Sequence, residues 1–285
     1  MEKSGKGVRF AVIGYGAITH EIVRTLDQRG ELDSLLGVLV RPTRLAEAIR
    51  DAAGRFAVVE GIDALLDLGP QVVAECAGHG AMREFGTAVL GRGTHLLCSS
   101  VGVLAEKRFA LELVRAAKRG AQLLIPSGAV AGIDGLLAAR SAGLRSVTYT
   151  SVKPPVAWFG TPAEAKVRLA GDQRTVFFEG SAREAALQYP KNVNVGATVA
   201  LAGLGLDHTK VQLVSDPAAS GPLGIIDAAG DFGALRFEIL AYASPRNSKT
   251  SLLTAHSVVL AAREGICFSA LGKVTGHDVA GARVL

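Results

Sequence analysis

The sequence predicts an α/β fold with a doubly wound parallel sheet in the first half and a second α/β domain whose open sheet is mostly antiparallel. Short β-rich runs alternate with helical segments of roughly 10–15 residues through the first half, which indicates right-handed crossovers and a parallel sheet. A glycine-rich turn joins the first strand to the first helix. From Val147 the rhythm changes to alternating strands with one clear helix.

The first element is a β-rich run, Val8 to Val12, followed by IGYGAI and an amphipathic stretch. This order predicts a strand, a tight turn and a helix. Gly14 allows the sharp turn, and Gly16 allows the backbone to approach a pyrophosphate. Ala17 and Ile18 begin the helix, whose free N–H groups and positive dipole end favour phosphates.

Thr19 stands where a full dinucleotide fingerprint would have its third glycine, which normally serves close packing of the helix against the strand. We therefore expect a phosphate cradle at this turn with an altered contact between helix and strand. A glycine fingerprint alone is weak evidence, and a plain strand–helix turn is the alternative.

The second strand is predicted from Leu36 to Val40, and it ends in Arg41-Pro42-Thr43-Arg44. A site selective for NAD usually carries Asp or Glu at this strand end, to bind the ribose hydroxyls. The tip has no acid, and guanidinium groups suit a 2′-phosphate. We therefore expect NADP or NAD as the cofactor, with Arg41 favouring NADP. Arginines that are merely solvated are the alternative.

The second half carries four strand segments, VTYTSVKPPVAWFG, RTVFFEGSAREAA, HTKVQLVSDP and GALRFEILAYASP, and the helix NVGATVALAGLGL. DPAASGPLGIID, at 216–227, is predicted as a loop beside the active site. The last apolar helix, about Ser251 to Arg263, is expected to return to the first domain. We therefore expect a Rossmann-type dinucleotide-binding domain over 1–128 and 245–285, and a substrate and dimerisation domain over 129–244.

Composition narrows the class of protein. The 285 residues carry a net charge of +5. Because no run of about five or six basic residues occurs and aromatic residues are not interleaved with basic ones, nucleic acid is not an expected partner. No stretch reaches about 18 uninterrupted apolar residues, so no membrane association is expected. The three cysteines have neither metal-ligand spacing nor an even count, which favours a reducing, cytoplasmic location and no bound metal.

Several long motifs in order resemble the NAD(P)-dependent L-aspartate dehydrogenase family. They run over almost the whole chain: VIGYGAI, ECAGHGA, SVGVLAE, PSGAVAGIDGL, KPPVAWFGTP, FEGSAREAALQYPKNVNVGATVALAGLGLD, VSDP and NSKTSLLTAHSVV. The resemblance implies interconversion of aspartate, or a related amino acid, with its imino or oxo acid by hydride transfer. It also implies a Rossmann domain joined to an open-sheet α/β domain, in a homodimer.

The resemblance suggests a set of cofactor-binding residues: Gly14, Gly16, Ala17, Ile18, Arg41, Cys76, Ala77, Gly78, His79, Ser100, Val101, Ala129, Ala131 and Asn194. Asn194 is also a candidate catalytic residue, because a buried amide can hold a carboxamide or a carboxylate. Its alternative is a helix N-cap, and both roles are compatible. Lys153 offers a cation to a dicarboxylate or a proton to an imine nitrogen; a solvated lysine is the alternative.

The resemblance fails at one point that matters chemically. Family members carry an Asn-x-His segment after the DP step, and its histidine is the expected acid/base. Ungapped alignment puts these two residues on Pro222 and Gly224. Loss of a positioned acid/base typically costs about 10²–10⁴-fold in rate.

Another histidine could compensate for the missing one. His256, in the matching KTS-containing segment, is the leading candidate for the catalytic role; a histidine that only packs against its own domain is the alternative. His79 and His208 are weaker candidates. Three functions stay open: the dehydrogenase, a catalytically impaired nucleotide-binding homologue, and an imine reductase with a less polar substrate.

Overall fold

The computed structural model describes residues 8–244 and 247–270, without the side chains of 243–250. The strands are β1 (Phe10–Ile13), β2 (Leu35–Leu39), β3 (Ala57–Val59), β4 (Val72–Glu75), β5 (His95–Cys98), β6 (Leu123–Ile125), β7 (Leu144–Lys153), β8 (Thr175–Ser181), β9 (Lys210–Ser215), β10 (Leu223–Gly230), β11 (Gly233–Leu240), β12 (Ala243–Ser244), β13 (Asn247–Ser251) and β14 (Phe268–Ser269). The α-helices are α1 (Ala17–Arg29), α2 (Leu45–Ala52), α3 (Ile62–Asp67), α4 (His79–Gly91), α5 (Lys107–Ala116), α6 (Ile133–Ser141), α7 (Glu164–Ala170), α8 (Ala182–Gln188), α9 (Asn194–Ala202) and α10 (Leu252–Glu264).

The chain divides into two compact units. The first unit comprises the described parts of Met1–Ser100, Leu111–Pro126 and Thr254–Leu285, and the second comprises Val101–Ala110 and Ser127–Leu253. The domain boundaries at 128/129 and 244/245 stay a prediction, and residues 245–246 and 271–285 of the predicted first domain lie outside the described residues. Each unit builds its own sheet.

The first unit holds a seven-stranded sheet in the order β14-β6-β5-β4-β1-β2-β3. Every pair is parallel except β14 with β6. All residues of β1 and β4 are buried, as expected of central strands that carry helices on both faces. The doubly wound sheet is confirmed, and its strand order reverses between β1 and β4, where such folds bind ligands at the carboxyl ends of the strands.

Helix α10 packs into this first unit. Ala255, Val258, Val259 and Ala262 belong to the same buried cluster as Phe10 of β1. The helix spans Leu252–Glu264, within one residue of the predicted range at each end.

The second unit holds a five-stranded sheet in the order β11-β10-β7-β9-β8. Only β7 and β9 pair in parallel, so the predicted mostly antiparallel sheet is confirmed. Helices cover one face. There, Tyr149 packs under Gly196 of α9 and Phe237 packs under Gly132, just before α6.

Three predictions for the second unit were wrong in detail. The segment 216–227, predicted as a loop, ends inside β10, because Leu223 begins a strand that pairs on both sides. The one clear helix predicted after Val147 is joined by α7 and α8. Helix α8 begins inside a segment predicted as strand, at the capping box that Ser181 forms with Glu184.

Among the described residues, no helix combines the length and the apolar character needed to cross a bilayer.

Candidate functional site

The turn after β1 has the geometry of a phosphate cradle. Gly14 has φ +105°, and a Cβ there would lie 2.7 Å from the Cβ of Ala77, so only glycine fits. A Cβ at Gly16 would meet no heavy atom within 4 Å. Gly16 precedes α1, whose first turn has no acidic residue and no side-chain cap. The backbone N–H groups at Ala17 and Ile18 therefore suit a dinucleotide pyrophosphate.

Thr19, which stands where the third glycine would be, connects α1 to the glycine loop. Its side chain is buried, and its hydroxyl donates to the carbonyl of Gly14 at 2.9 Å. The threonine thereby ties the helix to the glycine loop that precedes it. Tyr15 makes a second tie, because its hydroxyl donates to Asp51 of α2 at 2.9 Å.

The two arginines after β2 differ in their surroundings. Arg41 is exposed, and its side chain makes no hydrogen bond or ion pair with any other described residue. Arg44 forms an ion pair with Glu47 and lies 3.3 Å from His20 Nε2. Possible metal-ligand atoms of three side chains lie within 4.8 Å of one another: His20, Glu47 and Asp51. The Arg44 guanidinium, which pairs with Glu47, already supplies positive charge at this cluster.

A buried acid organises the end of β4. The Glu75 carboxylate accepts hydrogen bonds from the backbone N–H groups of Ala77 (2.7 Å), Gly78 (2.6 Å) and Ser100 (3.1 Å). The Ser100 hydroxyl donates a fourth at 3.1 Å. Burial raises the pKa of Glu75, and the four donors act in the opposite direction. Sequence reasoning missed this residue, although an acid closing the apolar run VVAE was a visible signal.

The predicted cofactor residues Cys76 to His79 lie in and after the turn that leaves β4. Cys76 Sγ lies 3.8 Å from the Ser99 hydroxyl. Burial, followed by the nearby Glu75 charge, raises the pKa of Cys76, so this thiol is a packing group and not a nucleophile. Gly78 has φ +108° and caps α4, and His79 is the first residue of that helix.

His256 lies in the first unit, on α10. Its Nε2 atom is 3.4 Å from the Glu21 carboxylate of α1, and its side chain is 40% exposed. The Arg24 hydrogen bond, with a smaller contribution from His256, lowers the pKa of Glu21. The imidazole therefore already has a charged partner on the neighbouring helix.

In the second unit, Asn194 is the first residue of α9, and Val193 is its N-cap. The predicted N-cap role of Asn194 is therefore wrong. Its Oδ1 atom instead accepts a hydrogen bond from the Gly102 N–H at 3.0 Å. Asn194 thereby fastens the short 3₁₀ segment Val101–Ala105, where the candidate Val101 is buried, to the start of α9.

Ala129 and Ala131 lie between β6 and α6, and Ala131 is exposed. Lys153 ends β7, beside Ser215 of β9, and its Nζ atom lies 5.0 Å from the centre of the Trp158 ring. The ring holds the lysine cation near the end of the strand.

Gly224 is in β10, opposite Ser151 of β7. A Cβ at Gly224 would lie 3.2 Å from the hydroxyl oxygen of Tyr149, which is 5% exposed and hydrogen-bonded with Ser151. Burial raises the pKa of Tyr149 to about 12, and the hydrogen bond with Ser151 acts in the opposite direction. Nothing in the sequence indicates that this hydroxyl lies beside Gly224. His208 is exposed, between α9 and β9.

The predicted residues thus form two groups. The glycine loop, Arg41, the Cys76–His79 turn, Ser100 and His256 belong to the first unit. Val101, Ala129, Ala131, Lys153 and Asn194 belong to the second, together with Tyr149 and Gly224.

The sequence and the fold both match known proteins. Residues 14–126 match the family model described as homoserine dehydrogenase, NAD binding domain, and residues 134–265 match the one described as aspartate dehydrogenase, C-terminal. L-aspartate dehydrogenase of Polaromonas sp. is 44% identical over 260 residues, which cover 89% of this chain and 96% of the relative. The enzyme of the same name from Ralstonia nicotianae is 43% identical, over 88% of this chain and 95% of the relative.

Among solved structures, aspartate dehydrogenase from Thermotoga maritima has a TM-score of 0.64 at 23% identity, over 88% of this chain and 94% of that one. An amine dehydrogenase from Mycobacterium smegmatis has a TM-score of 0.52 at 11% identity, over 99% of both chains. These structures share the fold, and the sequence identities decide the family. The chain belongs to the L-aspartate dehydrogenase family.

Proposed function

We propose that this protein interconverts L-aspartate and the corresponding imino or oxo acid with NADP(H) or NAD(H). Its family makes it an NAD(P)-dependent amino-acid dehydrogenase. The observation that carries the choice of substrate is the 44% identity to an L-aspartate dehydrogenase over 96% of that relative. The cradle at Gly14 and Gly16 supports dinucleotide binding.

The reaction breaks the Cα–H bond of an amino acid whose amine is deprotonated. An NAD(P) coenzyme held at the Gly14 and Gly16 cradle would supply the hydride acceptor, and the nitrogen lone pair would form the C=N bond of the imino acid. Water then adds to the imine carbon, and ammonia leaves to give the oxo acid. The protein must bind two carboxylates, deprotonate the ammonium group and supply a proton to the departing nitrogen.

Lys153 and Asn194 are the side chains that we assign to the substrate. The Lys153 ammonium would bind a carboxylate as a charge-assisted partner, next to Trp158. The Asn194 carboxamide oxygen is held by Gly102, so its NH₂ group has a fixed orientation for an acceptor. His256, which pairs with Glu21, stays a prediction as an acid/base.

Arg41 is the residue that we assign to a 2′-phosphate, because it is exposed whereas Arg44 is engaged by Glu47. Arg41→Ala should weaken NADPH binding by about 10–100-fold, the value of a charged hydrogen bond, and change NADH binding little. Arg44→Ala is the matched control. Equal losses for the two coenzymes in Arg41→Ala would contradict the assignment.

Reductive amination tests the reaction directly. Purified protein receives ammonia and oxaloacetate, then less polar 2-oxo acids, with each reduced coenzyme, and coenzyme oxidation is followed by absorbance. Turnover fastest with oxaloacetate is the expected result. Turnover only with less polar oxo acids would replace aspartate as the substrate, and binding of coenzyme without any turnover would indicate an impaired homologue.

We also propose a homodimer in a reducing, cytoplasmic compartment. On β11 the exposed side chains Ala234, Arg236, Glu238 and Leu240 form an open face of the second sheet, and a self-complementary copy is the simplest cover for it. The three cysteines are all described and none forms a disulfide. Analytical ultracentrifugation of the protein and of Leu240→Lys tests the dimer, since a lysine on this face should favour monomers.

A further inference from the structure

Among the described residues, Glu75 is the most deeply buried acidic side chain, and the proposed reaction does not use it. It closes β4, in the centre of the first sheet, and its exposed fraction is 0%. An uncompensated carboxylate in such a place would be very costly. Four donors surround it, and together they occupy both carboxylate oxygens.

These donors come from two different strand ends. The N–H groups of Ala77 and Gly78 belong to the turn that leaves β4, whereas the N–H and hydroxyl of Ser100 follow β5. One carboxylate therefore joins the carboxyl ends of two neighbouring parallel strands. That edge of a doubly wound sheet is where a dinucleotide binds.

The turn that Glu75 holds also sets the shape of the glycine loop. Ala77 lies so close to Gly14 that a Cβ added to Gly14 would be 2.7 Å from the Ala77 Cβ. The Cys76 N–H donates to the carbonyl of Ile13 at 2.9 Å. A shift of the turn at 76–78 would therefore change both the β4 side of the cradle and its contact with the glycine loop.

We propose that Glu75 is a positioning residue for the dinucleotide, acting through the 76–78 turn and Ser100, an inference that rests on the proposed coenzyme binding. The strand order assigns β1, β2 and β3, with the glycine loop and Arg41, to the adenosine half of the ligand. Strands β4, β5 and β6 then serve the nicotinamide half. Glu75 therefore positions the backbone groups that serve the nicotinamide half of the dinucleotide.

Glu75→Gln tests the proposal with almost no change in volume. The glutamine oxygen can replace only one carboxylate oxygen, and its NH₂ group would face an N–H donor at Ala77 and Gly78 or at Ser100. We expect the dissociation constant for NADPH to rise about tenfold, from one buried donor left unpaired. The constant for 2′,5′-ADP, which carries only the adenosine half, should change less than about twofold. Both constants are measured by isothermal titration calorimetry.

Glu31→Gln is the matched control, because Glu31 pairs with Arg263 at the opposite end of α1 and is far from the carboxyl ends of the strands. It should bind both ligands as the unchanged protein does. If Glu75→Gln does not fold, Ser100→Ala decides the question, since it removes only the hydroxyl donor and should raise the NADPH constant about two- to fivefold.

Unchanged NADPH binding in Glu75→Gln, or an equal loss for NADPH and 2′,5′-ADP, would overturn the proposal. Neither measurement needs an oxo acid. If the protein does not turn over aspartate, the binding measurements on Glu75→Gln still stand. If Glu75→Gln binds NADPH normally, the reaction assay is unaffected.

Discussion

The end of β4 and the space beside Gly224 differ in how their polar groups are arranged. At β4 a buried acid collects four donors and fixes backbone groups around it. At Gly224 the expected polar side chain is absent, and a neighbouring phenol, Tyr149, fills the space. The proposed coenzyme cradle is thus made of backbone held by one side chain, whereas the proposed substrate side depends on individual side chains. A substitution should therefore damage the first region through geometry and the second through lost chemistry.

Gly14→Ala should have the largest effect, because it attacks the backbone geometry. The new Cβ would lie 2.7 Å from Ala77 at a φ of +105°, so the glycine loop and the 76–78 turn must separate. We expect NADPH affinity to fall by more than about 100-fold, since several phosphate contacts are lost together. Fluorescence titration measures it.

Gly61→Ala is the control for that substitution, because a Cβ there meets no heavy atom within 4 Å and φ is −120°. Near-normal coenzyme affinity in Gly14→Ala would show that the cradle is not where the glycine geometry indicates.

Lys153→Met should have the second-largest effect, and it should lower turnover of the substrate without changing coenzyme binding. Removal of the ammonium group should lower kcat/KM for the dicarboxylate about 10–100-fold, with NADPH affinity unchanged. Steady-state kinetics together with coenzyme titration checks this result. Lys166→Met, on α7 of the same unit, removes a comparable lysine and should leave kcat/KM within about twofold. Equal effects of the two substitutions would contradict a substrate role for Lys153.

Gly224→His should not simply supply the histidine that the family resemblance predicts at this position. Its Cβ would lie 3.2 Å from the Tyr149 hydroxyl, and Tyr149 is wedged against Gly196, so the added side chain overpacks the region. We expect destabilisation of about 1–3 kcal/mol, seen as a lower Tm. In a Tyr149→Phe background the same substitution should cost less, because the hydroxyl is gone. A double-mutant cycle with strictly additive changes would show that the two residues do not compete for this space.

His95→Asn should have the smallest effect and should show only as a change in pH dependence. The Gln122 N–H donates to His95 Nδ1 at 3.0 Å, and burial lowers the pKa of His95 below 6.5. The stability that neutral His95 contributes is therefore present above about pH 6.5 and is lost as the pH falls below it. Asn keeps an acceptor but does not titrate, so its Tm should decline less between about pH 7 and pH 5. Parallel Tm curves would contradict the assignment.

Most of the first unit could be predicted from sequence because its signals are local. The glycine spacing at Gly14 and Gly16 and the alternation of strands and helices follow from backbone geometry within a few residues. The second unit was harder. Leu223 begins a strand that is recognised only by its partners β7 and β11, and the short helix α8 begins at a capping box inside a β-rich segment. Pairing with distant strands overrides local propensity.

The sequence by itself determined the two-part α/β plan and, through its motifs, the family, and it predicted where a phosphate cradle would lie. Only the tertiary structure decided what surrounds Glu75 and Gly224. The donors to Glu75 include Ser100, which is 25 residues away, and the hydroxyl beside Gly224 comes from Tyr149 on another strand. The physical reason is that burial and hydrogen-bond partners are properties of neighbours in space, and folding chooses those neighbours from distant parts of the chain.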